Sequence, residues 1–336
     1  MRTSGKDTGP LSLNRRSLMG SALLAAAGGA MASSAAAATA APAAGAGPVP
    51  TGPAAPLPPP ERVKIWPAQT TWEPVPPQLP VTEGMAQAPG AKLYYWDTGG
   101  TGAPIVLMHP GTGSALTWGY QQPVLARAGF RVIAFSRRGH ARSDKPDPAN
   151  PVPAVEDIKA VLDHLKIQRC HLVGTAGGSF LQPDFALSYP DRLISNIMTC
   201  SQGGVTEPAY RAQITRMNVP GWSALPQSFR ELGPSYRAAY PPGCHVWEEL
   251  EQPFTNGVFK NRLNFEDLRR IRTPTLLLAG GADMIAPAGL MLQLASVIPG
   301  AEAAVLSESG HSGYWEQYRA FNAAVIDFAN RHRLAR

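Results

Sequence analysis

The 336-residue chain carries a formal net charge of +6, but Arg2, Lys6, Arg15 and Arg16 against Asp7 leave only +3 beyond the first 40 residues. That remainder forms no basic run and no basic stripe interleaved with aromatics, which argues against nucleic acid as a partner. No internal repeat, zinc-type Cys/His spacing, P-loop or dinucleotide fingerprint is found, so neither a metal nor a cofactor is expected.

The first segment, residues 1–40, reads as a signal peptide. A basic start is followed by an uncharged stretch from Gly20 to Ala46 and by small residues suited to cleavage near Ala40. Arg15-Arg16 followed by Ser17-Leu18-Met19 resembles a twin-arginine export signal. A membrane helix is the weaker reading, because Ala, Gly and Ser contribute little hydrocarbon transfer energy. The mature protein is therefore expected in the periplasm or secreted, touching the membrane only through its leader. Residues 41–80, rich in Pro and Ala, read as a tether or extended lead-in. Residues 81–336 suit one globular domain with an insertion.

Within that domain, nearly continuous apolar runs predict strands at 92–96, 104–109, 131–136, 170–174, 193–200, 273–280 and 301–308. Helices are predicted between them, at 115–128, 154–166, 177–189, 286–298 and 314–333, with Pro183 expected to kink the third. This alternation implies an α/β fold, a mostly parallel central sheet with helices on both faces. Residues 201–272 break the rhythm and predict a helical cap over the C-terminal ends of the strands, where such sheets bind ligands. Trp222 and Trp247 are its candidate pocket-lining aromatics for a small-molecule substrate, although for either one alone packing the cap's own core is the plainer role.

Three cysteines cannot all pair internally. Cys170 opens one predicted strand and Cys200 closes the next, which separates them by roughly 17 Å if the strands are parallel neighbours. Cys244 could reach Cys200, but free buried thiols are the expectation.

Five local stretches occur in a telling order. "HLVGTAGG" (171–178) has the spacing G-x-S-x-G with Ala176 in place of serine. "LMHPGTGSALTW" (107–118) and "FSRRGHARSD" (135–144) follow predicted strands, and "LLLAGGADMIAP" (276–287) precedes "SESGHSGYW" (307–315). Together they resemble the α/β-hydrolase family over roughly residues 90–334, with Ser136 where the family pattern has Asp and Ala141 where it has Gly. The resemblance implies a strand–turn–helix elbow at 174–178, whose glycines avoid collisions in a sharp turn. It also implies an Asp283–His311 pair, and an oxyanion hole from the amides of Gly177 and of Gly111 or Thr112. Taken singly, Asp283 could cap a helix, His311 could be a surface histidine, and Glu308 is a substitute acid. His109 is expected to order its loop by hydrogen bonding.

Ala176 keeps a Cβ but lacks the attacking oxygen. It is consistent with a Ser→Ala variant of an otherwise intact hydrolase of small, largely apolar ester, lactone or amide-like bonds. It is also consistent with a non-catalytic ligand-binding protein, or with His–Asp base chemistry that needs no covalent nucleophile. Thr175, Ser179, Ser114 and Cys200 are substitute nucleophiles to weigh, each with a plain structural role available.

Overall fold

The computed structural model describes residues 55–217, 219–253 and 257–333. The leader expected over 1–40 and the first part of the expected tether lie outside the described residues.

Among the described residues nine strands form one sheet: β1 (Val63–Trp66), β2 (Thr82–Ala88), β3 (Ala91–Asp97), β4 (Pro104–Met108), β5 (Arg131–Phe135), β6 (Cys170–Thr175), β7 (Leu193–Thr199), β8 (Thr275–Gly280) and β9 (Glu302–Leu306). Their order is β1-β9-β8-β7-β6-β4-β5-β3-β2. β3 runs antiparallel to both of its neighbours, β2 and β5; every other pairing among the described residues is parallel. The chain passes from β4 out to β5 and back across to β6, so the loops leaving β4 and β6 diverge at one crevice, the position where open α/β sheets place their chemistry.

Side chains alternate between the faces, as strand geometry requires. Val106 and Met108 of β4, with Ile133 and Phe135 of β5, join a core under helices Ala154–His164, Gln182–Ser188 and Ala288–Val297. Ile105, Leu107, Val132 and Ala134 face the opposite core, closed by helices Gln122–Arg127 and Tyr318–Arg331. Both faces are therefore dry, which is why these strands read as unbroken apolar runs. The expected helix at 177–189 is split into Gly177–Phe180 and Gln182–Ser188, with Pro183 in the first turn of the second piece. The segment 201–272 contains helices Pro208–Met217, Gln227–Glu231, Pro234–Ala239, Pro241–Glu249 and Phe265–Leu268, in keeping with a helical cap.

Two strands were not predicted. β2 reads TEGMAQA, poor in β-forming residues, and forms through its seven-residue pairing with β3. The tether expected over 41–80 is corrected in its second half. There β1 adds a parallel edge to β9, with Ser307 N–H donating to the Trp66 carbonyl at 3.2 Å. Beyond it, Trp72 Nε1 donates to the Glu316 carbonyl at 2.6 Å and its ring packs edge-on against Tyr236 at 5.6 Å. Tyr120 donates its hydroxyl to the Glu73 carbonyl at 2.6 Å. A proline-rich composition hides this, because the partners are distant in sequence, Tyr120 by 47 residues from Glu73 and Glu316 by 244 from Trp72.

Removing the half-buried Trp72 side chain tests the correction. Trp72→Ala is expected to lower unfolding free energy by about 1–3 kcal/mol in urea denaturation, less than a fully buried Trp because part of the ring is exposed. A change within the ±0.5 kcal/mol typical of surface sites would return this segment to the status of a tether.

Candidate active site

The wholly buried β6 ends at Thr175, and the chain reverses at Ala176 with φ 48° and ψ −115° before entering helix Gly177–Phe180. A non-glycine residue in this region of backbone space carries strain of order 1–3 kcal/mol, held in place by its surroundings. Here Ala176 N–H donates to the Thr199 carbonyl at 3.0 Å, and the Ala176 carbonyl accepts from the Ser201 hydroxyl at 3.1 Å. The flanking glycines have steric causes. A Cβ on Gly178 would lie 2.2 Å from the Met108 carbonyl oxygen, and one on Gly174 would lie 2.4 Å from Gln182 Oε1. On Gly177 it would lie 2.8 Å from the amide nitrogen of Gly111. The elbow is thus pressed against the end of β4 and its loop at backbone contact distance. Gly111, Thr112 and Gly177, the expected oxyanion donors, meet at this junction, and their amides have no acceptor among the described residues.

The loop is held by His109. Its Nδ1–H donates to the Pro110 carbonyl at 2.7 Å, and its Nε2 accepts from the Arg137 N–H at 2.9 Å. Burial, helped by the Arg137 cation, pushes its pKa well below the usual imidazole value, so it stays neutral in one tautomer. His109 orders the loop, as expected.

Asp283 and His311 come together. Asp283 Oδ2 accepts from His311 Nδ1–H at 2.8 Å, while Oδ1 accepts the amides of Ile285 and Ala286, each at 2.8 Å. The carboxylate therefore orients the imidazole; it caps no helix, since helix Ala288–Val297 begins after Pro287 without a side-chain cap, and Oδ1 instead closes its own turn. Burial by itself would lower the His311 pKa. The Asp283 carboxylate outweighs it, aided by Glu231 and Glu316, and the net shift is upward from 6.5. Glu308 takes no part: its carboxylate accepts from Ser235 on the surface.

Two buried carboxylates at this site were missed. Glu231, in the cap, accepts His311 N–H through its carbonyl at 2.8 Å, and its carboxylate accepts the Thr112 hydroxyl at 3.0 Å and the Gln227 amide. It joins the histidine loop to the oxyanion loop. Glu316 accepts amides from Gly233 (2.6 Å), Gly310 (3.0 Å) and Ser312 (3.1 Å), and burial pushes its pKa up to about 7. No local pattern marks Glu231, which reaches the site only through the cap's fold. The four-residue spacing of Ser312 and Glu316 is the one available signal, and it is commonplace on helices.

Of the substitute nucleophiles, the two serines are occupied elsewhere and the other two are buried. Ser179 donates to Gln182 and accepts from the Thr199 amide, and Ser114 caps the turn Ala115–Thr117. Thr175 is fully buried. Cys200 is buried and free, and burial followed by the Asp283 charge pushes its thiol far above the normal range, so it is no thiolate. Cys170 and Cys244 are also free. Trp247 is buried in the core that contains Tyr236, Tyr314 and Trp315, and Trp222 packs edge-on against Phe229. Neither lines the cavity of about 490 Å³ that opens beside Gly177. Among the described residues no cluster of side chains suits a metal ion.

A doubly covered parallel sheet with a strained strand–helix turn and an aspartate-bound histidine at its carboxyl edge defines an enzyme of the hydrolase class. The chain belongs to the alpha/beta hydrolase family, which it matches over residues 105–324. It is 28% identical over 265 residues to a 2-hydroxy-6-oxononadienedioate/2-hydroxy-6-oxononatrienedioate hydrolase of Paraburkholderia phymatum, covering 70% of this chain and 90% of that protein. It shares its fold with a thermophilic esterase of Thermogutta terrifontis (TM-score 0.64, 22% identity, 75% of this chain and all of that one). An N-acyl homoserine lactone degrading enzyme is likewise similar (TM-score 0.60, 28% identity, 73% of this chain and all of that one).

The charges around His311 give a titration prediction. Because its folded pKa is raised, the stabilisation from His311 is present below pH 6.5 and lost as pH rises through the folded value. In Asp283→Asn, burial becomes the dominant influence and the His311 pKa is expected to fall below 6.5. NMR titration of the imidazole in both proteins measures this, and an unchanged pKa would remove Asp283 as the cause.

Proposed function

We propose that this protein hydrolyses a small ester, lactone or amide-like bond, using His311 and Asp283 on water rather than on a side-chain nucleophile. One observation carries the reading: the 2.8 Å Asp283–His311 bond lies in a site whose elbow apex is Ala176. Asp283 occupies Nδ1, which leaves Nε2 of His311 to take a proton from water as it attacks the carbonyl carbon. The amides of Gly177 and Gly111 or Thr112 receive the developing oxyanion, and the proton on Nε2 passes to the leaving group as the tetrahedral intermediate collapses. An N-acyl homoserine lactone degrading enzyme and a protein named for carbamate hydrolysis, both among the similar proteins, support this range of bonds. A purely ligand-binding protein has no physical need for the oriented imidazole or for the strain held at Ala176. Export belongs to the same reading, supported by Arg15-Arg16 and the uncharged stretch that follows.

The rate expected of such a site is modest. Without a triad serine, about 10³–10⁴-fold acceleration over water can persist from positioning and the oxyanion hole. Assays on short 4-nitrophenyl esters should therefore give slow turnover that His311→Ala abolishes. Ala176→Ser should raise kcat by about 10³-fold or more, a fraction of the ~10⁶ a triad serine contributes. Turnover that survives His311→Ala would dismiss the proposed base, and silence in all three proteins would dismiss hydrolysis of these esters.

A further inference from the structure

Arg137 is the most unusual charge in the molecule. It follows β5, is only 7% exposed, and its Nε is buried with no hydrogen-bond partner. Its Nη2 donates to the Pro110 carbonyl at 3.2 Å, and among the described residues it forms no ion pair. The contrast with its neighbour is sharp, since Arg138 is bound to Asp157 at 2.7 Å. The titratable groups facing Arg137 are His109 and His140, both held neutral by burial, His140 with its pKa down at about 4. Burial lowers the Arg137 pKa to about 10, which still leaves it charged at neutral pH. A buried, unpaired guanidinium is costly, and one with an unsatisfied donor is costlier still.

The compensation lies in what it faces. Arg137 lines the cavity of about 490 Å³ together with Gly177, Phe180, Val205, Phe259 and, on the cap, the exposed Arg211. Among the described residues no Asp or Glu lines that cavity. Its walls are otherwise largely apolar, and it borders the elbow directly, since a Cβ on Gly177 would lie 3.3 Å from Arg137 Nη2. The combination is a partly apolar pocket with one buried cation, a second cation on its cap side, and Gly177 of the elbow in its wall.

We infer that this cavity is the acyl-side binding site for a substrate bearing a carboxylate, which the Arg137 guanidinium anchors while Arg211 draws it in. The fork of a guanidinium matches a carboxylate in plane and charge, and the protein itself leaves this one without an anionic partner and with its buried Nε unsatisfied. One buried cation fits one negative charge, and the flanking Phe180, Val205 and Phe259 fit a short hydrocarbon segment. This inference rests on the proposed hydrolase reading and narrows its substrate class.

Binding and turnover are measured separately, so that either idea can fail alone. Isothermal titration of the full chain compares 5-phenylpentanoate with the isosteric 5-phenylpentanamide. The carboxylate is expected to bind at least about tenfold more tightly, as befits a charge-assisted hydrogen bond, and Arg137→Met should erase that preference while leaving amide affinity in place. Arg137→Lys should recover only part of it, because an ammonium cannot form the fork. Thermal stability of Arg137→Met should equal or exceed that of the parent, since an uncompensated buried charge has gone. Equal binding of the two ligands, a preference that survives Arg137→Met, or no saturable binding of either at millimolar concentration overturns the inference. In the Ala176→Ser background, mono-4-nitrophenyl adipate should show a lower KM than 4-nitrophenyl hexanoate, and only when Arg137 is present. Turnover of both esters without that difference leaves the hydrolase reading standing and this inference refuted. Arg137-dependent carboxylate binding without turnover does the reverse.

Discussion

The contact between the elbow and the end of β4 governs the site. Gly178 sits so close to the Met108 carbonyl that a methyl group would overlap it, and Gly177 lies against the Gly111 backbone, less tightly but still inside contact distance. These contacts fix where the β4 loop presents its amides relative to the apex at Ala176. They are steric, and so do not depend on a hydroxyl at the apex. Such a turn is maintained only while the surrounding backbone over-determines it, and the Thr199 and Ser201 hydrogen bonds to Ala176 supply that constraint.

Charge is distributed unevenly around this frame. Asp283, Glu231 and Glu316 gather about the His311 loop, each buried and each accepting backbone or side-chain donors. They keep the imidazole basic in a setting where burial by itself would neutralise it. On the β5 side stands Arg137, charged and without a carboxylate partner. A buried cation that the protein leaves uncompensated marks where an anion belongs, because the alternative is a standing desolvation cost. Basic imidazole and anion-seeking guanidinium together suit a substrate that brings its own negative charge.

The cap connects these parts. Glu231 binds the histidine loop through its carbonyl and the oxyanion loop through its carboxylate, and Gly233, two residues later, donates to Glu316. Movement of the cap would therefore be felt at both the base and the oxyanion donors. The segment around Trp72 reinforces the same region from the N-terminal side by bonding the Glu316 carbonyl.

Much of this was legible in the residues alone. Apolar runs located seven of the strands, because strands dry on both faces need no alternation to announce themselves. The glycines at 174 and 178, with Asp283 and His311 in order, located the elbow and the pair, since a backbone turn and a proton contact each impose a residue type at a position. Ala176 was equally plain as a missing oxygen. What the chain order could not reveal was anything depending on distant partners. β1 and β2 exist through pairing rather than propensity. Glu231 and Glu316 become site residues only when the cap folds onto the histidine loop. Trp247 turned inward to the core rather than to the cavity beside Gly177. Arg137 reads as one of two adjacent arginines, and only the fold decides that its neighbour meets Asp157 while it is buried unpaired. Local chemistry was set by residue type and spacing; electrostatic context was set by burial, which no single stretch of sequence contains.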